Sequence, residues 1–297
     1  MATIMLPNRY SLKPDRNSVK LKINCKERIN SNPLTKDWLE LIGKIEHKTD
    51  DIKIYKGLLD KKNNIVAKIA RVSLKDEYEN AQNLELLKLP TFITYNCIFT
   101  CLDDFSSLNN LTKEVCKEEG KQISVIIMPF INKGRIEDFK WVRANFALMK
   151  NVMKHVCLSL LYAKRILGFV HRDIHLGNIL MKQSKRKEIT YGEFGNLEVI
   201  GYIPVIMDFD KSVFVKNYDK YVYEDIFKFI SLMTNGCNVK FEASNIREFL
   251  GKQLIPLNRS IDITICKTLC DYIDNLEVLY VTSEILQVPN WLKPQKV

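Results

Sequence analysis

The sequence lacks the features of membrane-spanning, secreted and disulfide-stabilised proteins. It has no run of eighteen apolar residues, so we expect no membrane span and no membrane partner. The first twenty residues contain no apolar stretch behind a basic start, so we expect no secretory signal, and residence in the cytosol or nucleus. The eight cysteines are scattered and include no C-x-x-C pair, which favours reduced thiols over a disulfide scaffold or a zinc site.

The charge of the chain is strongly basic, with 45 Lys and Arg against 35 Asp and Glu and a formal net charge of +10. This excess favours acidic partners, phosphorylated ligands or nucleic acid through long-range attraction, and it does not choose among them. The basic segment KQSKRKE, residues 182–188, has no aromatic residue between its charges. That pattern is more typical of a solvated loop than of a nucleic-acid surface.

The hydrophobic pattern divides the chain into three parts. Residues 1–36 are polar and basic without a sustained period, and we interpret them as an N-terminal extension. Residues 37–128 contain five short β-like runs and one segment of helical spacing, which predicts a smaller lobe. Residues 129–297 are mainly helical: an apolar stripe over residues 145–167 predicts a buried helix, and residues 244–286 suggest two or three weaker helices.

Two motifs in the third part, residues 129–297, have the chemistry of phosphoryl transfer. The stretch FVHRDIHLGNILM, residues 169–181, places Asn178 five positions after Asp173, and the later β-like run YIPVIMDFD contains Asp208. Phosphoryl transfer needs a carboxylate that orients the attacking hydroxyl, and oxygen ligands that hold magnesium against the phosphates. Asp173 suits the first task, and Asn178 and Asp208 suit the second.

The order H-R-D-x-x-x-x-N followed by D-F resembles the protein kinases, over about residues 38–235. The resemblance implies an α+β, two-lobed fold with a small antiparallel β-sheet lobe and a mainly helical lobe. It also implies ATP as the phosphoryl donor, with Mg²⁺, or Mn²⁺ in its place, as the metal. In this frame Arg172 and Asp173 belong to the catalytic loop, and Asn178 and Asp208 hold the metal.

The resemblance also implies an ion pair in the nucleotide site. Lys68, in the β-like run IVAKIA, is similar to the strand lysine that contacts the α and β phosphates. Its carboxylate partner is expected from the following helix. Our choice is Glu79, with Glu77 and Glu85 as competitors.

The segment IIMPFINKG resembles the hinge that contacts adenine. Met128 aligns with the gatekeeper position, and Pro129 to Ile131 with the adenine-contacting residues. The first of these positions uses only its carbonyl group, so the missing N–H of Pro129 costs nothing there. Ile131 retains the N–H donor that the third position requires.

The phosphate-covering loop departs from the kinase pattern. Gly43 stands where a glycine-rich loop begins, but Glu46, His47 and Lys48 occupy the turn where further glycines are expected. Backbone amides approach phosphates closely only where side chains do not intrude. We therefore expect either weaker nucleotide affinity or a charged contact from Lys48.

The metal-binding motif and the segment after it also depart from the pattern. Asp210 replaces the usual glycine of D-F-G, which would restrict the backbone or add a third candidate metal ligand. Asp225 resembles the helix aspartate that binds the backbone of the catalytic loop. It follows Asp210 by only fifteen positions with no A-P-E between them, so we expect a shortened activation segment.

The catalytic loop itself is similar to that of the haspin branch of atypical kinases. His175 and Gly177 complete the pattern H-R-D-x-H-x-G-N, and an insert precedes Asp208. Divergent kinases of large DNA viruses have similarly shortened second lobes. His175 stands where ordinary Ser/Thr kinases have a lysine that touches the transferred phosphate. It could do the same when protonated, or it could hydrogen-bond the loop.

These expectations favour an ATP- and Mg²⁺-dependent Ser/Thr protein kinase that acts on a protein hydroxyl. Two alternatives stay open. A small-molecule kinase of the aminoglycoside or choline type is favoured by the sequence MDFDKS and the compressed second lobe. A pseudokinase that serves as a binding module is favoured by the degraded glycine loop.

Overall fold

The chain has an α+β fold with two lobes, as the resemblance implies. The predicted extension, residues 1–36, lies outside the residues described, as do residues 46–51. The computed structural model describes residues 39–45, 52–59, 61–101, 123–139, 141, 143–215, 220–236, 239–242, 261 and 263–281.

The smaller lobe is built on one antiparallel sheet in the order β1-β2-β3-β5-β4, which confirms the five predicted strands. Lys68 lies in the central strand, opposite Ile54 of β2 and Ile126 of β5. The strands are β1 (Leu39–Ile45), β2 (Ile52–Leu59), β3 (Asn63–Ala70), β4 (Cys97–Cys101) and β5 (Ile123–Pro129).

One helix, α1 (Lys75–Glu85), packs against this sheet. Its buried side chains include Ala81 and Leu84, which continue the apolar spacing that begins at Leu74. The same face also buries Glu77, because residues 77, 81 and 84 are separated by one helical turn each. The helix therefore presents one carboxylate to the interior of the lobe.

The segment between α1 and β4 joins the two lobes. Phe92 forms a parallel bridge with Ile206 of the larger lobe. The N–H of Ile93 donates to the Ile206 carbonyl oxygen at 2.9 Å, and the N–H of Ile206 donates to the Thr91 carbonyl oxygen at 2.8 Å. These bonds fix the register between the lobes close to the D-F motif.

The larger lobe is organised around the long helix α2 (Phe146–Leu167). Gly168 ends it in the left-handed region at φ 75°, which a glycine adopts without steric cost. The apolar stripe predicted over residues 145–167 is buried at its centre. The other elements of this lobe are β6 (Phe169–Val170), β7 (Ile179–Gln183), β8 (Glu188–Thr190), β9 (Asn196–Glu198), β10 (Tyr202–Ile206), β11 (Val213–Phe214), α3 (Lys220–Gly236), β12 (Val239–Glu242), α4 (Ile263–Asp274) and β13 (Glu277–Val281).

Within residues 263–281 the described chain forms one helix and then strand β13, which pairs antiparallel with β12. The rest of the predicted helical segment, residues 244–286, lies outside the described residues except for residue 261. The expectation of reduced thiols is wrong for one cysteine: Cys97 is disulfide-bonded, whereas Cys157, Cys266 and Cys270 form no disulfide bond. Spacing along a chain does not tell which cysteines the fold brings together.

A search for membrane spans among the described residues finds no helix with the length and apolar character that crossing a bilayer requires.

Buried His155 on α2 forms hydrogen bonds to the insert that precedes the D-F motif. His155 Nδ1 lies 2.8 Å from Tyr191 Oη, and its Nε2 lies 2.9 Å from the Glu198 carbonyl oxygen. The carbonyl group can only accept, so Nε2 carries the proton and the Tyr191 hydroxyl donates to Nδ1. One turn earlier, Asn151 Nδ2 donates to the same Glu198 oxygen at 2.7 Å. The insert is thus held by specific hydrogen bonds.

His155→Gln should weaken the dependence of stability on pH. Burial lowers the pKa of His155 to about 4, although its hydrogen bond to Glu198 opposes that shift. The unfolded chain, with a histidine pKa of about 6.5, therefore binds more protons between these values, and stability is lost as pH falls. The linkage is about 2 kcal/mol between pH 7 and pH 5. Urea unfolding of wild type and variant at both pH values measures it, and an identical pH dependence would contradict the assignment.

Candidate active site

A buried ion-pair network joins the two lobes at Lys68. Its Nζ lies 2.8 Å from Glu77 Oε2 and 2.6 Å from Asp208 Oδ1. Tyr95 Oη donates to the other oxygen of Glu77 at 2.6 Å. The side chains of Lys68 and Glu77 are 9% and 1% exposed, whereas that of Asp208 is 27% exposed. The network therefore has a closed end at α1 and an open end at the D-F motif.

The charge of Lys68 is secured by its two partners. Burial by itself would lower the pKa of this lysine, but the carboxylates of Glu77 and Asp208 outweigh burial and raise the pKa. Lys68 therefore stays protonated at neutral pH. A buried ammonium of this kind is a fixed positive charge, available to an anionic ligand that enters beside Asp208.

The choice of Glu79 as the partner of Lys68 was wrong, because the partner is Glu77. Glu79 is exposed and lies 3.6 Å from Lys75 on the same helix. The sequence contained the signal that decides between them. Glu77 lies four residues before Ala81 on the buried stripe of α1, whereas Glu79 falls on the solvent side.

The catalytic loop is anchored by Asp225 of α3, as the resemblance implies. Its carboxylate accepts the backbone N–H of His171 at 2.8 Å and that of Arg172 at 3.1 Å. Arg172 has φ 65° and an exposed side chain. A left-handed arginine is strained, and such strain persists only where surrounding contacts enforce it. The two hydrogen bonds from Asp225 supply that enforcement beside Asp173.

His171 is a buried neutral histidine that connects the loop to the D-F motif. Its Nε2 donates to the Met207 carbonyl oxygen at 3.0 Å, and its Nδ1 accepts the backbone N–H of Asp173 at 3.3 Å. Burial lowers the pKa of His171 to about 4. The neutral tautomer therefore satisfies both contacts, and the ring positions the backbone on either side of the cleft.

Asn178 links the segment that contains Asp173 to the D-F motif. Its Nδ2 donates to the Asp173 carbonyl oxygen at 3.1 Å, and its own carbonyl oxygen accepts the N–H of Met207 at 3.0 Å. This use of the amide nitrogen fixes the orientation of the side-chain oxygen. Asp208 follows Met207 with φ 69°, a second strained residue in the site.

Phe209 packs beneath the site and holds Asp208 in place. The ring is fully buried, with centroids 5.8 Å from His171 and 6.0 Å from both Tyr95 and Phe169. Asn80 of α1 donates to the Phe209 carbonyl oxygen at 2.9 Å. The D-F segment is therefore attached to the smaller lobe through main-chain and aromatic contacts as well as through Lys68.

Asp210 occupies ordinary backbone, so this conformation does not require the glycine that kinases usually have there. The positive φ angle of the motif is at Asp208 instead. Asp210 is exposed. Its role as a metal ligand stays a prediction.

The residues present fit a magnesium ion that is shared with a nucleotide. Magnesium is usually held by one or two carboxylates together with waters and phosphate oxygens. Asn178 and Asp208 supply an amide oxygen and a carboxylate. Within the described residues, no group of three or more His, Cys, Asp or Glu side chains is arranged to hold a metal. The donor set is thus suited to a metal that arrives with phosphates.

His175 hydrogen-bonds its own loop, which is the second of the two roles considered for it. Its Nδ1 accepts the N–H of Gly177 at 3.1 Å, so this nitrogen is unprotonated. A Cβ added to Gly177 would lie 3.0 Å from two atoms of the His175 ring and 3.2 Å from Glu137 Oε1. Glycine at this position lets the ring pack closely onto the loop.

The hinge residues lie where the sheet meets the larger lobe. Met128 is buried and pairs with Val66, and Pro129 pairs with Ile65. Ile131 follows the strand, and in the described part of the chain its backbone N–H has no hydrogen-bond acceptor. This donor is available to a ligand, although the contacts of all three residues with a nucleotide stay predictions.

Gly43 lies in β1 opposite Lys56, after an irregularity in the pairing of β1 with β2 that begins at Leu41. The turn residues Glu46, His47 and Lys48 lie outside the described residues, so the prediction of a degraded phosphate loop is not tested.

The segment after the D-F motif is hydrogen-bonded to the larger lobe within a few residues of the motif. Strand β11 pairs with β6, and the N–H of Val215 donates to the Gly168 carbonyl oxygen at 2.7 Å. Residues 216–219 lie outside the described residues, and α3 begins at Lys220. Helix α3 thus begins ten positions after Asp210, and the shortened activation segment stays a prediction.

Two lysines that the sequence analysis did not single out face Asp173. Lys211 Nζ donates to Asp173 Oδ2 at 2.8 Å, and Lys228 Nζ lies 3.9 Å from Oδ1. Burial would raise the pKa of Asp173, but the lysines, Lys211 above all, lower it overall. The position of Lys211 directly after D-F-D was the available signal. Asp173 is thus an ionised carboxylate held by a neighbouring cation.

Glu77→Gln should destabilise the protein far more than Glu79→Gln. Glutamine keeps the shape of Glu77 but removes the charge that pairs with buried Lys68, and hydrogen bonds to charged groups contribute about 1.5–3 kcal/mol. The exposed pair of Glu79 contributes less than about 1 kcal/mol. Urea unfolding of both variants measures the difference. Equal destabilisation would contradict the buried pairing.

Comparison with known proteins gives two partial matches. The ABC1 atypical kinase-like domain matches residues 101–203, which include α2 and the loop with Asp173 and end before Asp208. A segment of 65 residues, 22% of this chain, is 34% identical to the serine/threonine-protein kinase haspin of Mus musculus and spans 9% of the length of that protein. These partial matches and the two-lobed α+β fold make the chain similar to atypical protein-kinase-like proteins.

Proposed function

We propose that this protein is an ATP- and Mg²⁺-dependent kinase that transfers the γ-phosphoryl group to a Ser or Thr hydroxyl of a protein. The observation that carries the proposal is the Lys68–Glu77–Asp208 network, with Lys68 Nζ 2.6 Å from Asp208. It brings a fixed ammonium to a carboxylate of the metal motif, and Asn178 connects that motif to Asp173. This is the charge arrangement that phosphoryl transfer requires.

The residues divide the work of the reaction. Lys68 offers charged N–H donors to the α and β phosphates, and the backbone N–H of Ile131 offers a donor to adenine. Asp173 orients the acceptor hydroxyl. The hydroxyl oxygen forms a bond to the γ-phosphorus while the bond to the β,γ-bridging oxygen breaks, and its electron pair leaves on ADP. The hydroxyl proton passes to Asp173 and then to solvent. Asn178 and Asp208 would hold magnesium, which would supply neutralisation of the phosphate charge.

The protein substrate is proposed to be acidic or already phosphorylated near its acceptor. The net charge of +10 favours such a partner. Exposed Arg172 and the partly exposed lysines Lys211 and Lys228 lie in or near the catalytic loop and add a local positive surface. Long-range attraction of this kind raises association rates and favours acidic over basic acceptors.

A small-molecule kinase is the second candidate, and the early anchoring of the segment after the D-F motif favours it. The pairing of β11 with β6 leaves little chain between the motif and α3 on which a peptide could lie. A pseudokinase is less favoured, because Lys68, Asp173, Asn178 and Asp208 are all present.

Transfer of labelled γ-phosphate should depend on Asp173 and Asp208. The assay offers ATP and Mg²⁺ with a mixed protein substrate in one arm, and aminoglycosides, choline and sugars in the other. Asp173→Asn should lower transfer by about 10²–10⁴-fold, the usual contribution of a positioned acid or base, and should keep the thermal shift with Mg-ATP. Asp208→Asn should lower both readouts. Asp271→Asn, an exposed change on α4, is the matched control.

Phosphoserine or phosphothreonine on the protein arm, identified by mass spectrometry, supports the proposal. Transfer confined to the small-molecule arm would replace it with the second candidate. A Mg-ATP thermal shift without transfer to any acceptor would favour the pseudokinase.

A further inference from the structure

The catalytic loop itself places no lysine beside Asp173. In the described loop the position two residues after Asp173 is His175, whose Nδ1 accepts the N–H of Gly177. Because Nδ1 is the acceptor in this hydrogen bond, it has no N–H to offer to a ligand. The ring also lies close over Gly177, where an added Cβ would come within 3.0 Å of two ring atoms. His175 is thus engaged within its own loop.

A lysine from another segment lies beside Asp173 instead. Lys211 follows the D-F-D motif directly, and its Nζ donates to Asp173 Oδ2 at 2.8 Å. An ammonium has three N–H donors, and the contact with Asp173 uses one of them. The side chain is 60% exposed, so the remaining donors face solvent and are open to a ligand. Lys228 of α3 is more distant, with its Nζ 3.9 Å from the other oxygen of Asp173.

The position of Lys211 in the chain also suits a contact with phosphate. It lies three residues after Asp208, whose carboxylate is 2.6 Å from Lys68. Ser212, the next residue, is held by Asn80 of α1 and by a hydrogen bond from its hydroxyl to the His171 carbonyl oxygen at 3.2 Å. The backbone that carries Lys211 is therefore fixed on both lobes, between the acceptor carboxylate and the metal motif.

We propose that Lys211 supplies the cation that contacts the transferring phosphoryl group and holds Asp173 in place, a task for which the catalytic loop offers only His175. This inference rests on the proposed function. In the transfer step Lys211 neither gains nor loses a proton. It donates hydrogen bonds to a γ-phosphoryl oxygen and to Asp173 while the acceptor oxygen bonds to phosphorus and the bridging oxygen leaves. Its contribution is largest in the transition state, where charge spreads over those oxygens.

The test measures steady-state kinetics of phosphoryl transfer for the full chain and a set of variants. Lys211→Met should lower kcat by about 10–100-fold with a KM for ATP within about twofold of wild type, because a contact made in the transition state affects kcat rather than binding. Lys211→Arg should retain most of the activity. Lys228→Met should lower kcat by no more than about threefold, in keeping with its longer distance. Lys187→Met, in the exposed insert, should match wild type.

Moving the lysine to another position distinguishes an electrostatic role of Lys211 from a structural role. His175→Lys in the Lys211→Met background returns a cation to the loop and should restore kcat by at least about tenfold. The same change in the wild-type protein should alter kcat little. A kcat of Lys211→Met within twofold of wild type would overturn the inference. So would a loss that neither Lys211→Arg nor the relocated lysine recovers, since that pattern indicates a structural role. Absence of transfer by wild type would instead defeat the proposed function.

Discussion

The architecture depends on one buried ammonium group that has two carboxylate partners. Lys68 lies in the central strand of the sheet, and an unpaired charge there would cost several kcal/mol of desolvation. Glu77 and Asp208 remove that penalty only when α1 lies against the sheet and the D-F motif lies against β3. The pairing therefore favours one relative arrangement of the two lobes. Few other single contacts in the described chain constrain so many elements together.

The remaining contacts of the site fix the same arrangement from other directions. Asn80 binds the backbone after Asp208, Phe209 packs under it, and Asp225 holds the catalytic loop at His171 and Arg172. Strained backbone is found at two of these places, as is common where a scaffold pre-organises chemistry. The groups that would act on a substrate are thus positioned by neighbours that are themselves hydrogen-bonded. Such positioning is what electrostatic stabilisation of a transition state needs.

The sequence predicted the strands, helices and motifs that depend on the pattern of neighbouring residues. Strands β1, β2 and β3 follow from alternating apolar residues, α2 follows from its stripe and Gly168, and the motif residues follow from their spacing. The structure places Lys68 and Asp208 in contact, which motif order alone suggested. The match to Glu79 failed because it used distance along the chain, whereas helix geometry selects the residue on the buried face. Strand β13 and the bridge at Phe92 could not be predicted, because their partners are distant in sequence.

The contact between Lys211 and Asp173 likewise could not be predicted from local sequence patterns. It joins residues 38 positions apart, and no local rule connects them. The family pattern assigns a role to the position of His175, but only the three-dimensional arrangement shows which neighbouring side chain faces the carboxylate. The effect of a departure from a motif can therefore be interpreted once the charged side chains around the changed position are known.

A crystal structure of the protein with Mg²⁺ and a non-hydrolysable ATP analogue tests the central claim most directly. The account predicts metal bound by Asn178 and Asp208, Lys68 Nζ within about 3 Å of an α- or β-phosphate oxygen, and Asp173 facing the γ-phosphate. A nucleotide bound elsewhere, or one bound in the cleft with these side chains directed to separate cavities, would contradict it.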